Sequence, residues 1–187
     1  MDSPSVKPFV AASQFFVAAV AAVPASRYTD QWSDEWRVLD LIGHGNRANV
    51  LPVEYFDRPV GIADSDYVLP ANIAKRGRRA VEDLGSDPAA GVRGASERVI
   101  AMVEAAPDDA TVGTPFGIQT LDAYLRSRTA ELVLHGLDLE TDVEPPAAAL
   151  RQCGSFLIEV AMNAGRGLEV VLSLTGRGAL PPGFNVY

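Results

Sequence analysis

The chain has 187 residues, with 16 basic and 24 acidic side chains, a net charge of −8 and 48% hydrophobic residues. Such a length and composition fit one folded domain with a sizeable core and exclude a disordered or low-complexity polymer. The negative balance repels phosphate backbones and anionic lipid surfaces, so neither nucleic acid nor a membrane is expected as a partner.

The first predicted helix covers roughly residues 5–23 and stops at Pro24. Its run PFVAASQFFVAAVAAVP imitates a secretory leader, but Asp2 spoils a basic start and Ser13 and Gln14 interrupt the apolar stretch, which favours a bundle helix. The second helix is predicted to begin after Trp32-Ser33-Asp34-Glu35, with Ser33 or Asp34 as the cap, and to bend near Pro52. Trp32 and Trp36 read as packing around its start. A loop rich in Asp, Pro and Gly follows at about 57–70, then a helix through ANIAKRGRRAVEDL. The basic run Lys75, Arg76, Arg78 and Arg79 reads as a solvated face, because it is short and lacks interleaved aromatics.

From Pro88 to Ala106, apolar residues recur at helical spacing through Val92, Ala95, Val99, Met102 and Val103, and Pro107-Asp108-Asp109 ends the run. The next helix starts near Gln119, after GTPFG, and a fifth runs from about Pro146 to Ala164. LEVVLSLTG after Gly167 reads as a short strand or an extended tail. The single cysteine, Cys153, excludes an internal disulfide and any multi-cysteine zinc site; it reads as a buried, inert thiol in a reducing compartment, the cytoplasm.

The chemistry concentrates in RTAELVLHGLDLE, residues 128–140. On a helix, Glu131, His135 and Asp138 fall on one stripe, which Arg128 extends. The neighbours Leu121, Leu125, Leu132, Val133, Leu134 and Leu137 are so apolar that most of this helix must be buried, and charges buried there must be paired or bound to a metal. The other histidine, His44, lies on the second predicted helix. Each histidine is followed by a glycine, Gly45 and Gly136, at a cost of about 1 kcal/mol relative to alanine, which implies either close backbone approach or room for a ligand.

If the two helices face each other, His44, Glu131 and His135 can offer two imidazoles and a carboxylate to one cation. That is the donor set of catalytic zinc sites with an open fourth position, and it also suits nickel, iron or manganese. The plain alternative makes His44 a hydrogen-bonded core histidine and Arg128–Glu131 a routine i,i+3 pair. Asp40, one turn before His44, can either receive a ring N–H or serve as a surface residue.

The segments WSDEWRVLDLIGH (32–44), RTAELVLHGLDL (128–139) and LTGRGALPPGFNV (174–186) resemble, in order and over nearly the whole chain, the mycothiol-dependent maleylpyruvate isomerase family of the DinB-like superfamily. The resemblance implies an all-α four-helix bundle over residues 1–167, with extra short helices, and a short extended tail over 168–187. It implies a divalent metal, most often zinc, held by His44, Glu131 and His135. Asp138 matches the family's acid and is expected beside the open position, handling a proton or orienting a ligand. Arg128 is expected either to pair with a buried acid or to orient a ligand carboxylate.

The implied activity is metal-dependent isomerisation or thiol S-transfer, with mycothiol as thiol cosubstrate and an electrophile as the second substrate, in a monomer or homodimer. The family's isomerases carry a further C-terminal α/β domain where only a short tail follows Gly167 here, so maleylpyruvate itself is not the expected substrate. A non-catalytic metal- or ligand-binding bundle and a metal-dependent hydrolase are the alternatives.

Overall fold

The computed structural model describes residues 3–58 and 70–186. The loop expected at about 57–70 lies almost wholly outside them. The helices are α1 (Val6–Ala22), α2 (Val38–Tyr55), α3 (Pro70–Glu82), α4 (Pro88–Ala105), α5 (Leu121–Leu137), α6 (Ala147–Asn163) and α7 (Gly167–Leu174); β1 (Thr111–Thr114) and β2 (Gly117–Thr120) form one hairpin.

α1 packs on α5 and α4, and α2 packs on the same two helices, which closes a four-helix bundle. α3 lies on α2, α6 on α5 and α1, and α7 on α6. The core is built from the apolar stripes read in the sequence: Phe9, Phe16, Leu41, Ile42, Val92, Val99, Leu125 and Leu132 are fully buried. Each such side chain contributes about 1.5–3 kcal/mol by leaving water. A polar bridge crosses this core, where Ser13 Oγ donates to Asn49 Oδ1 at 2.8 Å and lies 2.6 Å from Ser96 Oγ, tying α1, α2 and α4 together. Among the described residues no helix is long and apolar enough to cross a membrane.

α2 starts later than the Ser33 or Asp34 cap expected. Trp36 O accepts from Trp32 N and Ser33 N, and Gln31 pairs antiparallel with Arg37, so this stretch closes on itself as a turn. The capping acid is Asp40, whose carboxylate accepts from Arg37 N at 2.9 Å. The helix then continues past Pro52 to Tyr55.

Ahead of α5 stands the hairpin, unanticipated from sequence, with Thr111 opposite Thr120 and Thr114 opposite Gly117. Thr120 then caps α5 by accepting from Ala123 N at 3.2 Å.

LEVVLSLTG is not a strand or an extended tail but the helix α7. Left-handed glycines bound it, Gly165 at φ 74° after α6 and Gly176 at φ 68° after α7. No strand pairs with this segment among the described residues, so its amides and carbonyls are satisfied internally as a helix. Beyond it residues 177–186 hold no helix or strand, and Arg166 rests its guanidinium 4.2 Å from the ring centre of Phe184.

Candidate functional site

The two glycines beside the histidines set the spacing of the helices. A Cβ on Gly45 would lie 2.7 Å from Phe16 Cζ and 3.1 Å from His135 Cβ, and one on Gly136 would lie 2.3 Å from Phe15 Cε1. Close backbone approach is therefore the reason for both glycines, since phenylalanines of α1 fill the space where side chains would stand. A third contact seats α3: a Cβ on Gly43 would meet Val81 and the Gly77 carbonyl, while Gly77 faces Trp36 and the Cβ of His44.

Drawn together in this way, the imidazoles of His44 on α2 and His135 on α5 meet edge to face, with ring centres 4.9 Å apart and planes at 79°. His44, Glu131 and His135 each offer one ligand atom, and the three atoms lie within 4.8 Å of one another. His135 Nε2 is 3.1 Å from Glu131 Oε2, and on the opposite ring edge His135 Nδ1 is 3.2 Å from Asp138 Oδ2. Arg128 reaches Glu131 Oε1 at 3.5 Å and lies 5.0 Å from the ring centre of Tyr124.

The other side of His44 is covered by Trp36, with ring centres 4.5 Å apart. Its Nδ1 is buried and, among the described residues, has no hydrogen-bond partner. Asp40 does not supply one, because its carboxylate is engaged at the start of α2. Cys153, buried on α6, has its thiol pushed up by burial and takes no part in the site.

The two imidazoles differ in charge. Burial, with the neighbouring His135 adding to it, lowers His44 to about 4, so this ring is neutral near pH 7. Burial also works against a charged His135, but hydrogen bonds to Asp138 and Glu131 outweigh it and raise this group to about 9. One ring thus presents a free lone pair, and the other carries a proton between two carboxylates.

These features fit a divalent cation. The donors are two nitrogens and a carboxylate oxygen, the set suited to zinc. The unpartnered Nδ1 of His44 leaves that ring in need of a polar partner. A cation in place of the His135 proton would keep both nearby carboxylates compensated. Asp138 stands where an outer carboxylate fixes the tautomer and tilt of a ligating histidine. Its carboxylate lies across the ring from Glu131, within hydrogen-bonding distance of His135 Nδ1.

Beside the trio opens a cleft of about 220 Å³ lined by His44, Glu131 and Arg128, together with Arg47 and Arg76. The last two were not singled out from sequence. Arg47 stands three residues after His44 on the same helix, a spacing that could have marked it. Arg76 does not belong to a solvated face as its run was read: it is half-buried, while Lys75, Arg78 and Arg79 are exposed. A larger cleft of about 310 Å³, near Ser3, Lys7 and Asp122, is lined by none of the trio.

No curated protein and no solved structure matches the chain. Residues 9–140, which include most of α1, all of α2 through α5 and all of His44, Arg128, Glu131, His135 and Asp138, match the family model described as the mycothiol maleylpyruvate isomerase N-terminal domain, and the chain belongs to that family.

Proposed function

We propose that the protein is a metal-dependent enzyme that uses mycothiol as its thiol cosubstrate, in an isomerisation or a thiol S-transfer. The observation that carries this reading is the meeting of His44, Glu131 and His135 within 4.8 Å beside an open cleft. Membership of a family named for mycothiol and maleylpyruvate isomerisation supports the choice of thiol and reaction class.

His44, Glu131 and His135 would hold the cation, with zinc the best match to the donors. When bound, such a cation favours thiolate over thiol near neutral pH. The chain's own groups prepare the site. Burial keeps His44 unprotonated, Asp138 fixes the His135 ring through Nδ1, and Arg128 steadies the Glu131 carboxylate. The thiolate sulfur would add to a carbon–carbon double bond conjugated to a carbonyl, opening the π bond to an enolate. Rotation about the resulting single bond and expulsion of the thiolate as the double bond reforms gives isomerisation, whereas protonation of the enolate with retention of the new carbon–sulfur bond gives transfer.

Elemental analysis of the purified protein tests the metal: about one equivalent of zinc is expected, with near-complete loss in His44→Ala and Glu131→Ala. Ultraviolet thiolate absorption on titrating the zinc-loaded protein with mycothiol tests the thiol. A metal-free protein, or no thiolate band at millimolar mycothiol, would refute the corresponding half of the reading.

A further inference from the structure

The sequence GLEVVLSL gives α7 five apolar side chains and one acid in eight residues, and none of the eight is buried. Leu168 and Leu174 are 71% and 72% exposed, and Val171 between them is exposed as well. Spaced three apart, these side chains run down one side of the helix with Val171 at the centre of the stripe. An isolated helix shorter than roughly 12–15 residues is marginal in water, so α7 depends on packing for its helicity. It packs on α6, and the stripe is the face that this packing leaves bare.

The bare face extends onto α6. Ile158 and Met162, four apart on that helix, are both exposed, and Met162 reaches the start of α7, where a Cβ on Gly167 would collide with its Sδ. The tail does not cover the stripe. It turns back over Leu172 instead, whose carbonyl accepts from Arg177 N at 2.8 Å and from Gly178 N at 3.2 Å. Together Ile158, Met162, Leu168, Val171 and Leu174 expose on the order of 500 Å², near the upper end of the roughly 300–600 Å² of the largest apolar patch on a monomer and over half of the about 800 Å² that each partner gives to a standard interface.

Charge distinguishes the possible occupants. From α6 to the tail the chain has three basic side chains, Arg151, Arg166 and Arg177, and two acidic ones, Glu159 and Glu169. Both acids are paired, Glu159 with Arg126 of α5 and Glu169 with Arg166. The net charge of −8 therefore lies in the residues before α6, and two copies can bring this face together without opposing like charges across it. An anionic lipid surface would instead be repelled by the rest of the molecule.

We propose that this face joins two copies of the chain, with α7 of each lying antiparallel against α7 of the other. The stripe is symmetric about Val171, so a two-fold axis beside that residue sets Leu168 of each copy on Leu174 of its mate, the self-complementary contact that a closed dimer requires. Ile158 and Met162 flank the helix pair, and the antiparallel sense sets the two helix dipoles against each other.

Sedimentation velocity between about 1 and 100 μM tests the contact, with a species of twice the 19.9 kDa chain mass expected at a micromolar or tighter dissociation constant. Leu168→Glu and Leu174→Glu should each weaken the dimer at least about tenfold, and together give a monomer whose far-ultraviolet circular dichroism still shows the bundle. Ile118→Glu, an equal loss of exposed apolar surface on the hairpin, should leave the dimer intact. Facing helices with axes about 8–10 Å apart bring Cα atoms into disulfide reach, so Val171→Cys should form a cross-linked dimer on mild oxidation, which the buried Cys153 of the unaltered chain does not. A monomeric chain throughout that range, whether α7 then meets a different protein or stays bare, would overturn the proposal. So would a dimer indifferent to both glutamates, or a Val171→Cys chain that fails to cross-link.

Discussion

Gly136→Ala probes the close approach of α1 to α5. The new methyl would stand 2.3 Å from Phe15 Cε1, 2.8 Å from Cζ and 3.2 Å from Cδ1, whereas ordinary contact begins at 3.4 Å, so the ring must retreat by about 1 Å. Phe15 is only 3% exposed and has no open side to move into. Overpacking of a buried site costs about 1–3 kcal/mol, against which alanine's better helix propensity returns about 1 kcal/mol.

With three ring atoms crowded, the net loss should be about 1–2 kcal/mol, or about 2–8 °C in the thermal midpoint for a chain of this size. Gly154→Ala in α6 is the internal control: among the described residues nothing lies within 4 Å of its Cβ position, so the same chemical change should stabilise by about 0.5–1 kcal/mol. Urea and calorimetric unfolding of both variants, and of Gly136→Ala in a Phe15→Leu background where the penalty should shrink, measure the effect. If Gly136→Ala raised stability as Gly154→Ala does, the packing explanation for the glycine beside His135 would be refuted.

Three further outcomes follow from the polar groups. In the metal-free protein His135, raised to about 9, contributes stability that is complete below about pH 6.5 and is lost as the pH rises through about 9; Asp138→Asn should flatten this alkaline arm of the urea midpoint, and an unchanged arm would contradict the assignment. His44, lowered to about 4, acts in the opposite sense: the unfolded chain takes up a proton that the native ring refuses, so stability falls between about pH 6.5 and 4, and His44→Phe should remove that component. Ser13→Ala leaves Asn49 Oδ1 and Ser96 Oγ short of a partner in a fully buried position, for an expected loss of about 1–3 kcal/mol on chemical denaturation; a neutral result would mean that the bridge is dispensable.

The bundle was legible because each of its helices writes a long apolar stripe into the sequence, as Val92, Ala95, Val99 and Val103 do in α4. The stripe of Glu131, His135 and Asp138 was legible for the same reason, since three polar residues in a buried helix violate the pattern around them. What escaped was decided by contacts remote in sequence. The strands of the hairpin have four residues each and turn through Pro115-Phe116, which lacks the usual Asn-Gly signature. In α7 the pair Val170-Val171 favours a strand locally, but no neighbouring strand is at hand among the described residues to pair with it. Arg76 looked like one cation of a surface run, and only the seating of Gly77 against His44 distinguishes it from Arg78 and Arg79.

The indole of Trp36, 9% exposed and tilted at 49° with its ring centre 4.5 Å from that of His44, gives the molecule an optical gauge of its own. Indole emission responds to the charge and polarisability of whatever touches it, so any occupant of His44 alters the fluorescence without a label. The second tryptophan, Trp32, is 40% exposed and 5.9 Å away. Replacing it with phenylalanine leaves a single indole, excited apart from the tyrosines at the red edge, whose colour and lifetime read out one imidazole.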